Sequence, residues 1–203
     1  MPRPSPLPTT STCARLHAAA LQQVASHGPL ASVRSITKAA GVTEGALYRH
    51  YESRGHLLGA VFAELVRPMV AEKEALVAMR APIDDRLREW VRCTYARFDK
   101  DPDGFAYIFL TTHTLPKEYQ RLSGRQSELL RELLAQGQAL GVVRSIPADV
   151  AAALFVGLLL SVPTQIRQGG LKKPALNYVD EVARAIWLAV GTTQSPGGAH
   201  QAV

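Results

Sequence analysis

Residues 32–51 read SVRSITKAAGVTEGALYRHY and contain two helix starts and one tight turn. Ser32 and Thr43 are residue types that cap helix N-termini, because the hydroxyl oxygen accepts a hydrogen bond from a free backbone N–H. Gly41 lies between the two segments and supplies the left-handed conformation that ends a helix tightly. The segment therefore predicts two short helices joined by a turn, which is the layout of a helix-turn-helix.

The flanking sequence predicts one further helix on each side of this segment. Upstream, apolar residues recur every four positions over 16–24, as expected for one face of a helix, and Gly28 and Pro29 end the pattern. Downstream, Ser53 is an N-cap for a long helix that runs to about Met79. The segment is thus expected to belong to a small helical domain.

The rest of the chain also shows helical periodicity. Pro82 is followed by apolar residues at helical spacing, and this pattern stops before Pro102. No stretch alternates between apolar and polar residues as a half-buried strand does, so we expect an all-α fold of about nine helices. Further helices are expected at about 103–113, 117–140, 147–168 and 174–190, separated by Pro and Gly residues.

The 203 residues are expected to form two domains between two tails. A helix-turn-helix domain is expected over 12–60, and a second helical domain over 61–193. Residues 1–11 are rich in Pro, Ser and Thr, and residues 194–203 have no hydrophobic period. Both ends are therefore expected to be disordered tails.

Positive charge is concentrated around the predicted helix-turn-helix. The chain has 23 Lys and Arg against 17 Asp and Glu, which gives a formal net charge of +6. Residues 1–55 hold six basic and two acidic side chains and so account for +4 of that total, whereas the remaining residues hold 17 and 15. This distribution favours an anionic partner, with nucleic acid ahead of a membrane surface.

Cysteine usage and hydrophobicity favour a cytoplasmic protein. Cys13 and Cys93 stand far apart with no patterned His nearby, so we expect neither a disulfide framework nor a metal site. Four prolines within residues 2–8 argue against a signal peptide. The longest apolar run, 150–163, is shorter than the ~20 residues that span a bilayer, so it predicts a buried helix and no membrane partner.

One face of the second short helix is expected to contact DNA. If Leu47 and Tyr51 point into the domain core, the residues between them face outward, where a major groove can receive them. Arg49 can offer two parallel hydrogen bonds to guanine, whereas hydroxyl, imidazole and backbone N–H groups suit phosphates. The alternative for each basic residue is an ordinary solvated charge. The candidate DNA-binding residues are Ser32, Arg34, Thr43, Glu44, Gly45, Tyr48, Arg49, His50 and Arg54.

Taken together, these residues resemble the DNA-binding domain of the tetracycline-repressor (TetR) family. The resemblance covers roughly residues 12–62, and beyond them it is one of helical layout only. It implies a transcription regulator of the bacterial cytosol, most often a repressor, that binds DNA as a homodimer and is released by a small effector. The matching features are Ala19-Ala20-Leu21, Gly28, Ser32-Val33-x-x-Ile36, Ala40-Gly41-Val42, Gly45-Ala46-Leu47-Tyr48, His50-Tyr51 and Leu57-Leu58.

The chain departs from the family pattern at a few positions. The family often has Phe where this chain has Val24 and Tyr51, and an aromatic or small residue where it has Pro29. Glu44 replaces a Lys or an uncharged residue. Because a carboxylate beside phosphates is repulsive, Glu44 is expected either to weaken DNA binding or to read a cytosine amino group. The departures concern the operator sequence rather than the function.

Aromatic residues of the second domain are candidates for an effector cavity. Such cavities are mostly apolar with a few polar groups. The alternative is that these side chains are ordinary core residues. No second ligand stands at useful spacing from His113, so no metal site is expected there. The candidate effector-binding residues are Trp90, Tyr95, Phe98, Phe105, Phe109 and His113.

The last two predicted helices are candidates for a dimer interface. One short recognition helix reads too few base pairs for specificity, whereas a two-fold pair reads a palindromic operator with half-sites about 34 Å apart. By resemblance to the family, the last two helices form this dimer, and the alternative is burial within one subunit. The candidate interface residues are Leu154, Leu158, Val162, Val179, Val182, Ile186 and Val190.

Two other classes of function compete with a transcription regulator. The sequence has no HExxH, no P-loop, no Gly-rich dinucleotide turn and no GxSxG, so we expect no enzyme activity and no cofactor. A non-specific DNA-binding or membrane-surface protein would account for the charge alone. It would lack any preference for DNA sequence. The sequence therefore predicts an effector-responsive regulator whose partners are operator DNA, a small mostly apolar effector and a second copy of the chain.

Overall fold

A computed structural model describes residues 11–27, 31–110 and 115–192, without the side chains of His27 and Ser123. These residues form nine α-helices and one short 3₁₀ helix, which confirms the expected all-α class. The helices are α1 Thr12–His27, α2 Val33–Ala40, α3 Glu44–Tyr48, α4 Arg54–Ala78, α5 Ile83–Lys100, α6 Pro102–Phe109, α7 Lys117–Ala139, α8 Ala148–Arg167 and α9 Val179–Val190, with the 3₁₀ helix at Ala175–Tyr178.

The chain divides into two compact units. Unit 1 consists of Met1–Leu65 and Asp103–Arg121, and unit 2 of Val66–Pro102 and Leu122–Val203. The first segment of unit 1 ends at Leu65. Residues 103–121, expected in the second domain, cluster with unit 1 instead.

Unit 1 is built around the packing of α2 against α1 and α3. Its core contains the apolar residues that the periodicity of the sequence selects, because Leu16, Ile36 and Leu47 are completely buried. Gly59 allows α7 to approach α4 closely, since a Cβ atom at this position would lie 2.3 Å from Cδ2 of Tyr119. The Tyr107 hydroxyl also donates a hydrogen bond to the carbonyl of Leu58 at 2.8 Å. These two contacts join α4 to α7 and to α6 within unit 1.

Unit 2 is built around α5, α8 and α9. The Tyr95 hydroxyl of α5 donates a hydrogen bond to the carbonyl of Leu159 in α8 at 3.0 Å. Trp90 of α5 packs edge-on against Phe155 of α8, with ring centroids 6.0 Å apart. One helix of the described residues, α8, is long and apolar enough to cross a membrane, with a mean hydropathy of 1.7. Only part of its surface is buried within the chain.

Two predicted helices differ from the observed ones. The helix expected at 174–190 starts as a 3₁₀ helix and becomes α-helical at Val179. The Asp99 carboxylate accepts hydrogen bonds from the backbone N–H groups of Ala175 at 2.8 Å and Leu176 at 3.0 Å, so these amides are satisfied outside an α-helix. The helix expected at 103–113 is α6, which ends at Phe109.

Several expectations fall on residues that the structure does not describe. Residues 111–114 include the predicted end of the helix at 103–113. Gly28 and Pro29, expected to end the first helix, lie outside the described residues. The same holds for residues 1–10 and 193–203, which cover nearly all of the two expected tails.

Candidate nucleic-acid interface

The turn between α2 and α3 has the expected geometry. Gly41 adopts φ 63° and ψ 38°, in the left-handed region, and its N–H donates to the carbonyl of Lys38 at 3.2 Å. The next N–H, of Val42, donates to the carbonyl of Thr37 at 3.0 Å. These two hydrogen bonds close the end of α2 and turn the chain directly into α3.

Side-chain caps begin both helices of the motif. The Ser32 hydroxyl accepts a hydrogen bond from the N–H of Ser35 at 3.0 Å, and the Ser35 hydroxyl accepts one from the N–H of Ser32 at 3.0 Å, which makes a capping box. At α3, the Thr43 hydroxyl accepts a hydrogen bond from the N–H of Ala46 at 3.1 Å. The two predicted caps therefore form, and they fix where each helix starts.

The two faces of α3 differ as the sequence predicts. Leu47 is completely buried and Tyr51 nearly so, whereas 52% of the Tyr48 surface is exposed. The exposed face of α3 is not apolar, because it combines a hydroxyl, a carboxylate and a guanidinium group. It consists of Thr43, Glu44, Gly45, Tyr48, Arg49 and His50, with Ser32 and Arg34 of the preceding helix also exposed.

Tyr51 anchors the end of α3 to other helices of unit 1. Its hydroxyl lies 2.7 Å from Nε2 of His17 in α1, and the other ring nitrogen of His17 contacts the Glu64 carboxylate of α4. The pKa of Tyr51 is raised well above its ordinary value, mainly because the side chain is buried and to a smaller extent because it forms a hydrogen bond with Cys13. The phenol is therefore neutral and holds the end of the recognition helix through a polar network rather than through apolar packing alone.

The basic residues of the motif fall into two groups. Arg34, Lys38 and Arg49 are exposed, and their side chains form no hydrogen bond or ion pair within the described part of the chain. Arg54 is half-buried, and its Nε donates to the carbonyl of Ala31. Arg54, predicted as a phosphate ligand, is therefore already bound to the protein backbone.

Arg15 is a residue of this region that sequence reasoning missed. It lies in α1, and its Nε and Nη2 donate to the carbonyl of Ala40 at 3.0 and 2.6 Å. Nη2 also donates to the carbonyl of Gly41 at 2.6 Å. The only signal in the sequence is a cation next to the core residue Leu16, and that signal does not identify a partner 25 residues away.

The predicted effector-binding residues are distributed over both units. Trp90, Tyr95 and Phe98 belong to unit 2 and are buried in its core. Phe105 and Phe109 belong to unit 1, where their rings lie 4.7 Å apart. His113 lies outside the described residues. No group of three or more His, Cys, Asp or Glu side chains in the described ranges could hold a metal ion.

Unit 2 contains a polar groove that the sequence did not predict. Its volume is ≈ 340 Å³, and three of its side chains are basic and two acidic. Arg97 pairs with Glu72 at 3.0 Å, so part of this charge is neutralised internally. The groove is lined by Glu72, Arg92, Cys93, Ala96, Arg97, Lys100 and Asp101.

A lysine is buried close to this groove. Only 1% of the Lys73 surface is exposed, and Nζ donates to the carbonyl of Trp90 at 2.9 Å and to the hydroxyl of Thr94 at 3.2 Å. The ammonium also lies 4.9 Å from the centroid of the Trp90 ring. Burial lowers the pKa of Lys73 to about 8, because nearby carboxylates compensate only in part for the lost hydration.

The predicted dimer residues divide into two sets. Leu154 is exposed and Leu158 is half-exposed. The other five are buried within a single chain, as expected from the alternative in which these helices pack inside one subunit. These five are Val162, Val179, Val182, Ile186 and Val190.

Comparisons with known proteins agree with this geometry. Residues 16–61 match the sequence profile described as "Bacterial regulatory proteins, tetR family". A TetR family transcription regulator from Marinobacter aquaeolei has a similar structure, with a TM-score of 0.74, 23% sequence identity and coverage of 89% of this chain and 95% of that chain. The TetR family transcriptional regulator PfmR from Thermus thermophilus gives a TM-score of 0.66 at 23% identity, covering 87% and 97% of the two chains.

A third similar structure contains a bound molecule. The transcriptional regulator FadR from Bacillus subtilis, solved in complex with stearoyl-CoA, gives a TM-score of 0.70 at 17% identity and covers 85% of this chain and 96% of that chain. At this identity the similarity shows the fold alone. The chain matches no curated protein sequence.

The capped helices, the left-handed turn and the polar face of α3 form a helix-turn-helix. Residues 16–61 match the TetR family profile, and the described helices have the fold of solved TetR family regulators.

Proposed function

We propose that the chain is an effector-responsive repressor that binds a palindromic operator as a homodimer. The observation that carries the proposal is the exposed polar face of α3, on a helix whose start and turn are fixed by Thr43 and Gly41. A major groove admits one α-helix, and the exposed residues of α3 are of the types that contact base edges and phosphates. The predicted DNA-binding residues other than Arg54 stay candidates for these contacts.

Dimerisation is proposed to use the exposed side of α8. Positions 150, 153, 154, 157 and 161 are exposed and recur at helical spacing, and none of them is charged. Gly157 lies within this row, and a Cβ atom there would meet nothing within 4 Å, so another helix can approach closely. We assign this row to a second copy of the chain, because two recognition helices are needed to read a palindrome.

The effector is proposed to act by differential affinity for two conformations. A small, mostly apolar molecule that binds the non-DNA-binding conformation more tightly would release the operator, and DNA would weaken effector binding by the same factor. Stearoyl-CoA is a suitable first probe, because a protein of the same fold binds it. The bacterial cytosol is the proposed location, since both the operator and such metabolites are found there.

The direct test is selection of purified protein against random duplex DNA at near-physiological salt. We expect one inverted repeat to emerge, with half-sites about one helical turn apart. Binding that shows no sequence preference and disappears as salt rises would contradict the proposal and favour a charge-driven DNA-binding protein. An effector that leaves the affinity for the selected duplex unchanged would leave regulation by that molecule unsupported.

A further inference from the structure

Both ends of α2 are held by arginines from neighbouring helices. At its end, Arg15 of α1 donates three hydrogen bonds to the carbonyls of Ala40 and Gly41. At its beginning, the Nε of Arg54 in α4 donates to the carbonyl of Ala31, the residue that precedes the N-cap. All of these residues belong to unit 1.

The bonds made by Arg15 meet a physical need of α2. A helix of eight residues is too short to be stable alone, and the last carbonyls of any helix have no partner within it. A cation is favourable at this end because the helix dipole is negative there. The planar guanidinium group donates to two successive carbonyls at once. The ammonium group of lysine is a single compact charge without this fixed arrangement of donors.

The bond made by Arg54 fixes the other end of the same helix. Ala31 is buried, and its carbonyl is bound to a half-buried guanidinium group. Because α4 begins at Arg54, this contact ties the start of α2 to the start of α4. With both ends tied, the turn at Gly41 and the recognition helix α3 have a defined place relative to α1 and α4.

We propose that Arg15 and Arg54 are positioning residues for DNA recognition and not phosphate ligands. They hold α2, and through it α3, in the geometry that reads DNA. The cations left for DNA contact are then Arg34, Lys38 and Arg49. This inference rests on the proposed DNA-binding function and assigns to Arg54 a role different from the one the sequence predicts.

The test compares glutamine variants by the salt dependence of DNA binding. Each phosphate contact that is lost reduces the slope of log K against log salt by about 0.9. We expect Arg15→Gln and Arg54→Gln to weaken binding to the selected duplex about tenfold or more, the size expected for a lost charge-assisted hydrogen bond, with an unchanged slope. Arg34→Gln is the comparison, because loss of a direct phosphate contact would reduce affinity and slope together.

Lysine variants separate charge from geometry. Arg15→Lys and Arg54→Lys keep the charge, so a phosphate ligand would retain most of its affinity. We expect both to lose affinity and to lose discrimination between the selected duplex and a scrambled one. Measurements are made well below the unfolding temperature of each variant. A normal affinity with only a lowered Tm would show a merely structural role and overturn the proposal, as would a reduced slope in the glutamine variants.

Hydrogen exchange tests, without DNA, whether the arginine side chains hold the ends of α2. In Arg15→Gln, the N–H groups of Gly41 and Val42 are expected to exchange faster, while those of α1 and α4 keep their protection. Unchanged exchange at the turn would overturn the proposal. Failure of the unaltered chain to select any duplex would refute the proposed function instead. The exchange rates would still decide whether Arg15 holds the turn at Gly41.

Discussion

At the scale of single residues, Arg49 is the side chain best placed to read a base. It is exposed directly after α3, and its guanidinium group forms no hydrogen bond within the described ranges. Arg49→Ala is expected to cost about 1–3 kcal/mol of binding free energy and to relax specificity at one position of each half-site. Competition binding with single-base variants of the selected duplex measures both effects.

The matched control for this prediction is Arg80→Ala, which removes an exposed arginine from the segment between α4 and α5. We expect this variant to bind the selected duplex as the unaltered chain does. An Arg49→Ala protein with the same affinity and the same base preferences would show that the guanidinium is only a solvated charge.

The buried ammonium of Lys73 leads to a prediction about stability and pH. Its pKa is 10.5 in the unfolded chain and about 8 in the folded one, so the unfolded state holds the proton more tightly. Below pH 8 both states are charged, and the folded state carries the whole burial penalty, which corresponds to about 3 kcal/mol. As the pH rises above 8 the folded state loses the proton first, so this group makes the protein more stable.

Lys73→Met is therefore expected to raise the free energy of unfolding at pH 7 and to flatten its increase between about pH 8 and 10.5. Urea unfolding of both chains at several pH values measures the difference in their free energies of unfolding. The difference is the useful quantity, because the raised pKa of Cys93 lowers the stability of both chains as the pH rises. Lys172→Met, at an exposed lysine, should leave the curve unchanged. Parallel curves for Lys73→Met and the unaltered chain would contradict the prediction.

Local chemistry could be predicted from the sequence, whereas partners distant in sequence could not. The caps at Ser32 and Thr43 follow from residue type and position, because each bonds to an amide three residues away. The bonds of Arg15 and Arg54 to the backbone join residues 25 and 23 positions apart. No periodicity specifies such contacts, so a basic residue in this region was expected to bind phosphate.

At the scale of secondary-structure elements, the turn between α2 and α3 depends on Gly41. Its φ of 63° lies in the left-handed region, and a Cβ atom there would lie 3.1 Å from Nη2 of Arg15. Gly41→Ala is expected to cost about 1–2 kcal/mol of stability, the penalty for an L-residue in this conformation. Denaturant unfolding of the variant measures the loss, and DNA affinity is expected to fall with it.

Gly124→Ala is the control, because this glycine lies inside α7 and its nearest neighbour would be an ordinary contact at 3.8 Å. We expect that variant to gain about 0.5–1 kcal/mol from its higher helix propensity. Equal effects of the two substitutions would show that the left-handed turn is not what requires Gly41.

Helical periodicity predicts a buried face but does not identify the partner that buries it. The apolar residues of α9 were expected at a dimer interface, and Ile186 and Val190 are instead completely buried within one chain. In α8 the apolar positions surround the helix, so one row packs inside and another, with Leu154, is left exposed. Hydrophobicity alone could not distinguish the two rows, because both have the same period.

At the scale of the whole molecule, the sequence predicts an all-α chain with a helix-turn-helix at its start, and the structure agrees. It could not predict that residues 103–121 cluster with unit 1, because this requires the chain to return to a domain that it has already left. The predicted effector residues are divided between the two units for the same reason: the sequence does not specify which segments of the chain cluster together. Composition and spacing select aromatic side chains without saying which of them meet in space.

The proposed homodimer gives the prediction with the largest expected effect. Leu154 is 42% exposed in the uncharged row of α8, so Leu154→Arg would place a charge in the interface without entering the core of the chain. We expect sedimentation to show a folded monomer with unchanged helical content. Affinity for the selected palindrome should fall by about a hundredfold or more, because the two half-sites are then bound independently.

Leu140→Arg is the matched control, since Leu140 follows α7 and is 70% exposed outside the α8 row. It should leave both the dimer and the affinity intact. If Leu154→Arg stays dimeric, the interface lies elsewhere and the row on α8 requires another partner. If it becomes monomeric and still binds the full palindrome as before, each chain reads its half-site alone, and the argument that specificity requires two linked recognition helices fails.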